Sequence, residues 1–191
     1  MYPSTQYTRI AMFFHWTVAV LMLTNIGLIL SVDYLPEEWA RPAIDTHKSI
    51  GITVLGLFIL RLLWRFAHRP PQLPPIFAKW EVVTAHFVHI GLYALMLLLP
   101  LSGWLHDSAW KNAVNHPLQL FYLIPWPRIA WVTQLDPGPK EMWHTTFGNI
   151  HTALAYIFYA LFALHIAGAL KHEWIDRESV LRRMWPFGSR S

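Results

Sequence analysis

Four runs of about twenty apolar residues, separated by charged or proline-rich connections, limit this chain more than any other feature. Crossing the hydrocarbon core of a bilayer takes about 20 apolar residues in an α-helix. Four stretches meet that length: about 10–32, 47–66, 82–106 and 147–170. In lipid each backbone polar group must be satisfied within its own segment, so such runs form helices. The expected fold class is an all-α, integral membrane four-helix bundle, with residues 1–191 as a single transmembrane domain. Charged residues make up only 14% of the chain, against about 25% in soluble domains. The start, MYPSTQYTRIAMFFHW, has no basic leader and no small-residue cleavage site, so it reads as the mature start running directly into the first span.

The connections set an orientation. Residues 33–46 are acidic, with Asp33, Glu37, Glu38 and Asp45. The 68–79 connection contains Pro70, Pro71, Pro74 and Pro75 and cannot continue a helix. An outer loop of about 107–143 is long enough to carry small elements of its own. Arg9, Arg61, Arg65, Arg69, Lys79, Lys171, Arg177, Arg182, Arg183 and Arg190, ten of the fifteen Lys and Arg residues, fall on one side. The positive-inside rule makes that side the cytoplasm and puts both termini there. The same rule accounts for the net charge of +4 without a nucleic-acid partner.

Histidine is the unusual polar residue in these spans. There are eleven, and there is no cysteine, which excludes disulfides, thiolate-held haem, cysteine-held iron–sulfur clusters and covalent c-type haem. An ionisable group inside a span is costly and marks function by default. His151 and His165 are 14 residues apart, about 21 Å along the axis and nearly on one face. One helix therefore offers an imidazole near each membrane surface. His15 in the first span matches His165 in depth, and His47 at the start of the second matches His151. Two His–His pairs at two depths suit two bis-histidine haems b built between facing helices.

Zinc is the competing metal. His86 and His89 form an HxxH pair, but no cysteine or acidic cluster accompanies them in the sequence, and structural zinc wants four close ligands. Arg61 and Arg65 stand at cytoplasmic depth and are candidate partners of a haem propionate; as topology signals they would instead snorkel to the headgroups.

The chain resembles the bacterial cytochrome b561 family and the related cytochrome b subunits of formate dehydrogenase and hydrogenase. The resemblance is carried by RIAMFFHW, HKSIG followed by RLLWR, HFVHIGLY, PLSGW and IHTALAYIFYALFALHIAGALKHEWIDRESVLRRM, and is weak over 107–145. It implies His15 with His165 as ligands of an inner haem and His47 with His151 as ligands of an outer one, in agreement with the depth argument. The small members it most resembles are superoxide oxidases, which implies electron transfer from periplasmic superoxide to ubiquinone. The matching family position makes His172 a candidate quinone-site residue. It lies seven residues after His165 and nearly on its face; His89 and His86 are second choices. Lys48, Lys111, Arg128 and Lys140 would attract an anionic donor from outside, offset by Asp107, Asp136 and Glu141. Two alternatives stay open. One is a haem b anchor taking electrons from a separate periplasmic redox protein or dehydrogenase. The other is a His-lined transporter without haem.

Overall fold

The computed structural model describes residues 6–68, 71, 77–178 and 180–185; Arg69, Pro70, Pro74, Pro75 and Arg190 lie outside these. Four long helices dominate: α1 (Arg9–Ser31), α2 (Glu37–Ala67), α3 (Lys79–Ser108) and α5 (Pro137–Trp174). All four are long and apolar enough to cross a membrane. A single 3₁₀ turn, Val32–Tyr34, follows α1. Between α3 and α5 lie the two-residue strands β1 (Gln119–Leu120) and β2 (Ile124–Pro125), paired antiparallel, and the short helix α4 (Ala130–Thr133). A last short helix, α6, covers Val180–Arg183.

Two helices start about ten residues ahead of their apolar runs. Glu37 and Glu38 occupy the first turn of α2, where carboxylates favour the positive end of the helix dipole. Pro137 opens α5, a position where its missing N–H costs nothing. Both extensions project beyond the apolar segments. The acidic connection and the end of the outer loop are therefore helical, and the irregular part of that loop shrinks to roughly 109–136.

Packing is uneven around the bundle. α1 packs along α2, α2 along α3, and α3 most extensively along α5. Neither α1 nor α2 makes an extended backbone contact with α5. The core holds Val18 and Met22 from α1, Val54 and Phe58 from α2, Leu95 and Met96 from α3, and Phe158 from α5. The start of α1 and the α6 segment meet at one end of the bundle: the Tyr7 N–H donates to the Arg183 carbonyl (3.2 Å), and the Trp16 indole to that of Met184 (2.7 Å). Thr8 caps α1 by accepting from the Ala11 N–H and also accepts from the Trp64 indole (2.9 Å), tying α1 to α2 at this end. The hairpin occupies the opposite end. Ser49 of α2 accepts the Phe121 N–H (2.9 Å) there and donates to the Asp45 carbonyl (2.8 Å).

Candidate functional site: two histidine pairs between α5 and its neighbours

α5 supplies a seam with a period of seven: His151, Phe158, His165 and His172. Seven residues are about 700° of helical turn, so each member returns to nearly the same face. At the hairpin end, the His151 ring lies 6.2 Å from that of His47 on α2, nearly perpendicular at 87°. At the terminal end, the His165 ring lies 6.2 Å from that of His15 on α1, at 72°. Phe158 sits halfway between, buried in the core. Its place on the seam was visible in the numbering, yet among the many aromatic residues of the spans only the fold singles it out.

The equal separations suit a metal held between rings. Two imidazoles this far apart would leave room for one metal ion between their nitrogens, at metal–nitrogen bonds of about 2.0–2.1 Å. Shape agrees: the helices that carry the partners of His151 and His165 stand away from the α5 backbone, so these rings meet across a gap in the bundle. α5 is also the least buried of the four spans. A flat macrocycle would need room of this kind. The residues present fit haem.

Hydrogen bonds fix the tautomers of the hairpin-end pair. His47 Nδ1 donates to the Asn25 carbonyl of α1 (3.2 Å). His151 Nδ1 lies 3.0 Å from both the Leu99 carbonyl and Ser102 Oγ of α3. Ser102 itself donates to Leu99 (2.9 Å), so its oxygen lone pairs face the imidazole. With Nδ1 protonated in both rings, Nε2 is the nitrogen left free to hold a metal. Gly103 keeps this place open, because a Cβ there would stand 3.2 Å from the His151 ring. Neither Asn25 nor Ser102 was singled out by sequence; a backbone acceptor and a short hydroxyl leave no spacing signal.

The terminal-end pair is arranged differently. Arg61 Nη1 lies 3.1 Å from His15 Nδ1, and a guanidinium can only donate, so that nitrogen accepts. Arg61 and Arg65 both lie over the Tyr93 ring, at 5.6 and 5.4 Å, and line a narrow cleft with Tyr7, Trp64 and Met184. His89 of α3 stands 5.1 Å from His165, its Nδ1 bonded to the Ala85 carbonyl (2.6 Å). His86 turns to its own helix, on Val82 (2.7 Å). His172 lies at the end of α5, bonded to Asp176 (2.6 Å) and packed on Phe77 at 4.4 Å.

The cations expected to draw an anionic donor are partly neutralised. Lys48 and Arg128 each reach buried Asp107 at 2.8 Å. Lys48 and Arg41 also meet Asp45, both at 3.2 Å. Lys140 is buried on the Thr133 carbonyl (3.1 Å), and Lys111 is exposed. At the hairpin end as a whole, Asp33, Glu37, Glu38, Asp45, Asp107, Asp136 and Glu141 outnumber Arg41, Lys48, Lys111, Arg128 and Lys140, so the expected attraction has no net positive charge behind it.

Four apolar helices holding paired histidines at two levels define a multi-pass membrane electron-transfer protein of the cytochrome b class. The chain belongs to the prokaryotic cytochrome b561 family, whose model matches residues 6–187. That family binds haem b and resides in the bacterial inner membrane. Among its relatives, cytochrome b561 homolog 2 of Escherichia coli (strain K12) is 29% identical over 181 residues, covering 94% of this chain and 90% of that protein. Cytochrome b561 homolog 1 of the same organism is 24% identical, covering 95% and 97%. The probable superoxide oxidase CybB of Yersinia pestis is also 24% identical, covering 95% and 96%.

Proposed function

We propose that residues 1–191 form a single cytochrome b561-type unit that holds two haems b and catalyses superoxide:ubiquinone electron transfer, with both termini in the cytoplasm. The observation behind it is the pair of 6.2 Å histidine contacts at opposite ends of one open helix face. His15 with His165 holds the inner haem and His47 with His151 the outer. Haem b, when bound, supplies a one-electron couple at each level. Two imidazoles per iron leave no open position for oxygen chemistry at the metal, so the protein is an electron conductor rather than an oxygenase.

The chain's own groups do the rest. Asn25, Leu99 and Ser102 hold His47 and His151 in the ligating tautomer. Were His15 to hold the iron through Nε2, its proton would sit on Nδ1 and it would no longer accept from Arg61; Arg61, beside Arg65, would then be free to pair with a propionate. At the outer face, Lys48 adjoins His47 in the chain and is the local cation that an approaching anion would meet. Overall, two superoxide anions each lose one electron to become dioxygen, and one ubiquinone gains two electrons and two protons to become the quinol. His172, at the cytoplasmic end of the seam, gives protons to the quinone; His89 is the second candidate. The name of the Yersinia pestis relative supports the superoxide assignment. Superoxide pulses on purified protein, with and without ubiquinone, test it in the haem absorption bands: reduction by superoxide and re-oxidation by quinone are expected.

A second reading, a haem b anchor fed by a separate periplasmic redox protein, has one observation in its favour. The hairpin end exposes Tyr122, Leu123, Ile124 and Trp131, each more than half accessible. Absence of any absorbance change under superoxide would favour that reading.

A further inference from the structure

α5 ends in a turn that folds its own continuation back onto His172. The N–H groups of Ile175 and Asp176 both return to the Lys171 carbonyl, at 2.8 and 3.1 Å. Arg177 takes the left-handed conformation (φ 58°), and the Glu178 N–H closes on the His172 carbonyl at 2.8 Å. Asp176 itself stands one helical turn after His172, and its Oδ2 lies 2.6 Å from His172 Nδ1. The carboxylate is itself held. Lys171 Nζ reaches its two oxygens at 2.8 and 3.2 Å and also binds Glu81. Glu81 in turn caps α3, taking the Ala78 N–H at 3.0 Å. A chain of alternating charge thus runs from the start of α3 to the ring at the end of α5. Ligand atoms of Glu81, His172 and Asp176 lie within 4.8 Å of one another, but the Lys171 ammonium bonds both carboxylates and already supplies the cation there.

We propose that Asp176 is the positioning residue of the proton donor at the quinone site, holding His172 Nδ1–H so that Nε2 is the nitrogen that exchanges a proton. A carboxylate only accepts, so Nδ1 must carry its hydrogen. The imidazolium then loses its proton from Nε2 to the quinone oxygen, the neutral Nδ1–H form stays bonded to Asp176, and water reprotonates Nε2. Without the carboxylate the neutral ring is free to place its hydrogen on either nitrogen and to turn away from Phe77. The role rests on the reading of His172 as the quinone's proton donor.

The test uses the haem-loaded protein with ¹⁵N-labelled histidine, the His172 signals being assigned by their loss in His172→Ala. Wild type is expected to show His172 protonated at Nδ1 in its neutral form. Asp176→Ala is expected to move that proton to Nε2, and to slow haem re-oxidation by ubiquinone roughly 10- to 100-fold, with haem content and reduction by the donor unchanged. Asp176→Asn, whose amide oxygen still accepts, should retain the tautomer and lose less rate. A wild-type tautomer in Asp176→Ala overturns the proposal. A changed tautomer with full re-oxidation rates in both Asp176→Ala and His172→Ala overturns the quinone reading instead, leaving the hold of Asp176 on the ring intact.

Discussion

The His15 ring on α1 and the His165 ring on α5 stand 6.2 Å apart although their helices share no extended backbone contact. Normally, side chains meet where helices pack, at interaxial distances of 8–10 Å. Here two imidazoles reach across a gap, and the same happens at the other end of α5 with His47 and His151. Two histidine pairs that reach across such a gap, from positions 14 residues apart on one helix, are the arrangement from which the following expectations derive.

Substituting the ligands should separate the two sites. His15→Ala and His165→Ala should each remove the inner haem, and His47→Ala and His151→Ala the outer. Low-temperature absorption spectra resolve the components. Loss of the same component from His15→Ala and His47→Ala would refute the pairing.

Gly103→Val should disturb the outer site alone. A Cβ at 103 already stands 3.2 Å from the His151 ring, and two further methyl groups have no space there. The outer haem should be lost or its spectrum broadened while the inner remains. Ser102→Ala is the milder companion: the Leu99 carbonyl still accepts from His151, so the cost should be only about 0.5–1.5 kcal/mol, with both haems retained. Haem-to-protein ratios and thermal melts of both variants check this.

Asp107 should be a stability residue of the hairpin end. It is 6% exposed and accepts from both Lys48 and Arg128. Asp107→Ala leaves largely buried Arg128 with only the Ala113 carbonyl and Lys48 with only Asp45, so the cost should approach from below the ~3–5 kcal/mol of a broken buried pair. A large drop in melting temperature is expected, whereas Lys111→Ala on the same side should melt like wild type.

Much of this was legible in the sequence because membrane chains write their constraints plainly. Length and apolarity mark the spans, and histidine inside them is rare enough to stand out. The spacing from His151 to His165 carries the two levels directly. The helical starts at Glu37 and Pro137 were hidden because both lie in polar segments, where the apolar run gives no signal. The expected attraction of anions by Lys48 and Arg128 looked simpler than it is, since only the fold brings Asp107 onto both. Asp176 was hidden for another reason: it stands four residues after His172, the spacing at which helical side chains meet, but in the polar tail beyond the apolar run, where no span draws attention to it.

The clamp on Asp176 should be insensitive to pH across the neutral range. The Lys171 hydrogen bonds first, and that from His172 second, hold the Asp176 carboxyl below its ordinary range. A depressed carboxylate keeps its contribution above the ordinary pKa and loses it only as pH falls through the lowered value. The ¹³C carboxyl shift of Asp176 should therefore show no change of the size that protonation gives from about pH 5 to 8, and make that change only in more acidic solution. A midpoint near neutrality would contradict the ion pair with Lys171.

The most direct test of the central claim is the ratio of haem b to protein, by pyridine haemochrome against quantitative amino-acid analysis. Two bis-histidine sites predict a ratio of two in the wild type and one in His15→Ala and in His151→Ala. A wild-type ratio near one, or a ratio unchanged in either variant, would contradict the two-pair arrangement.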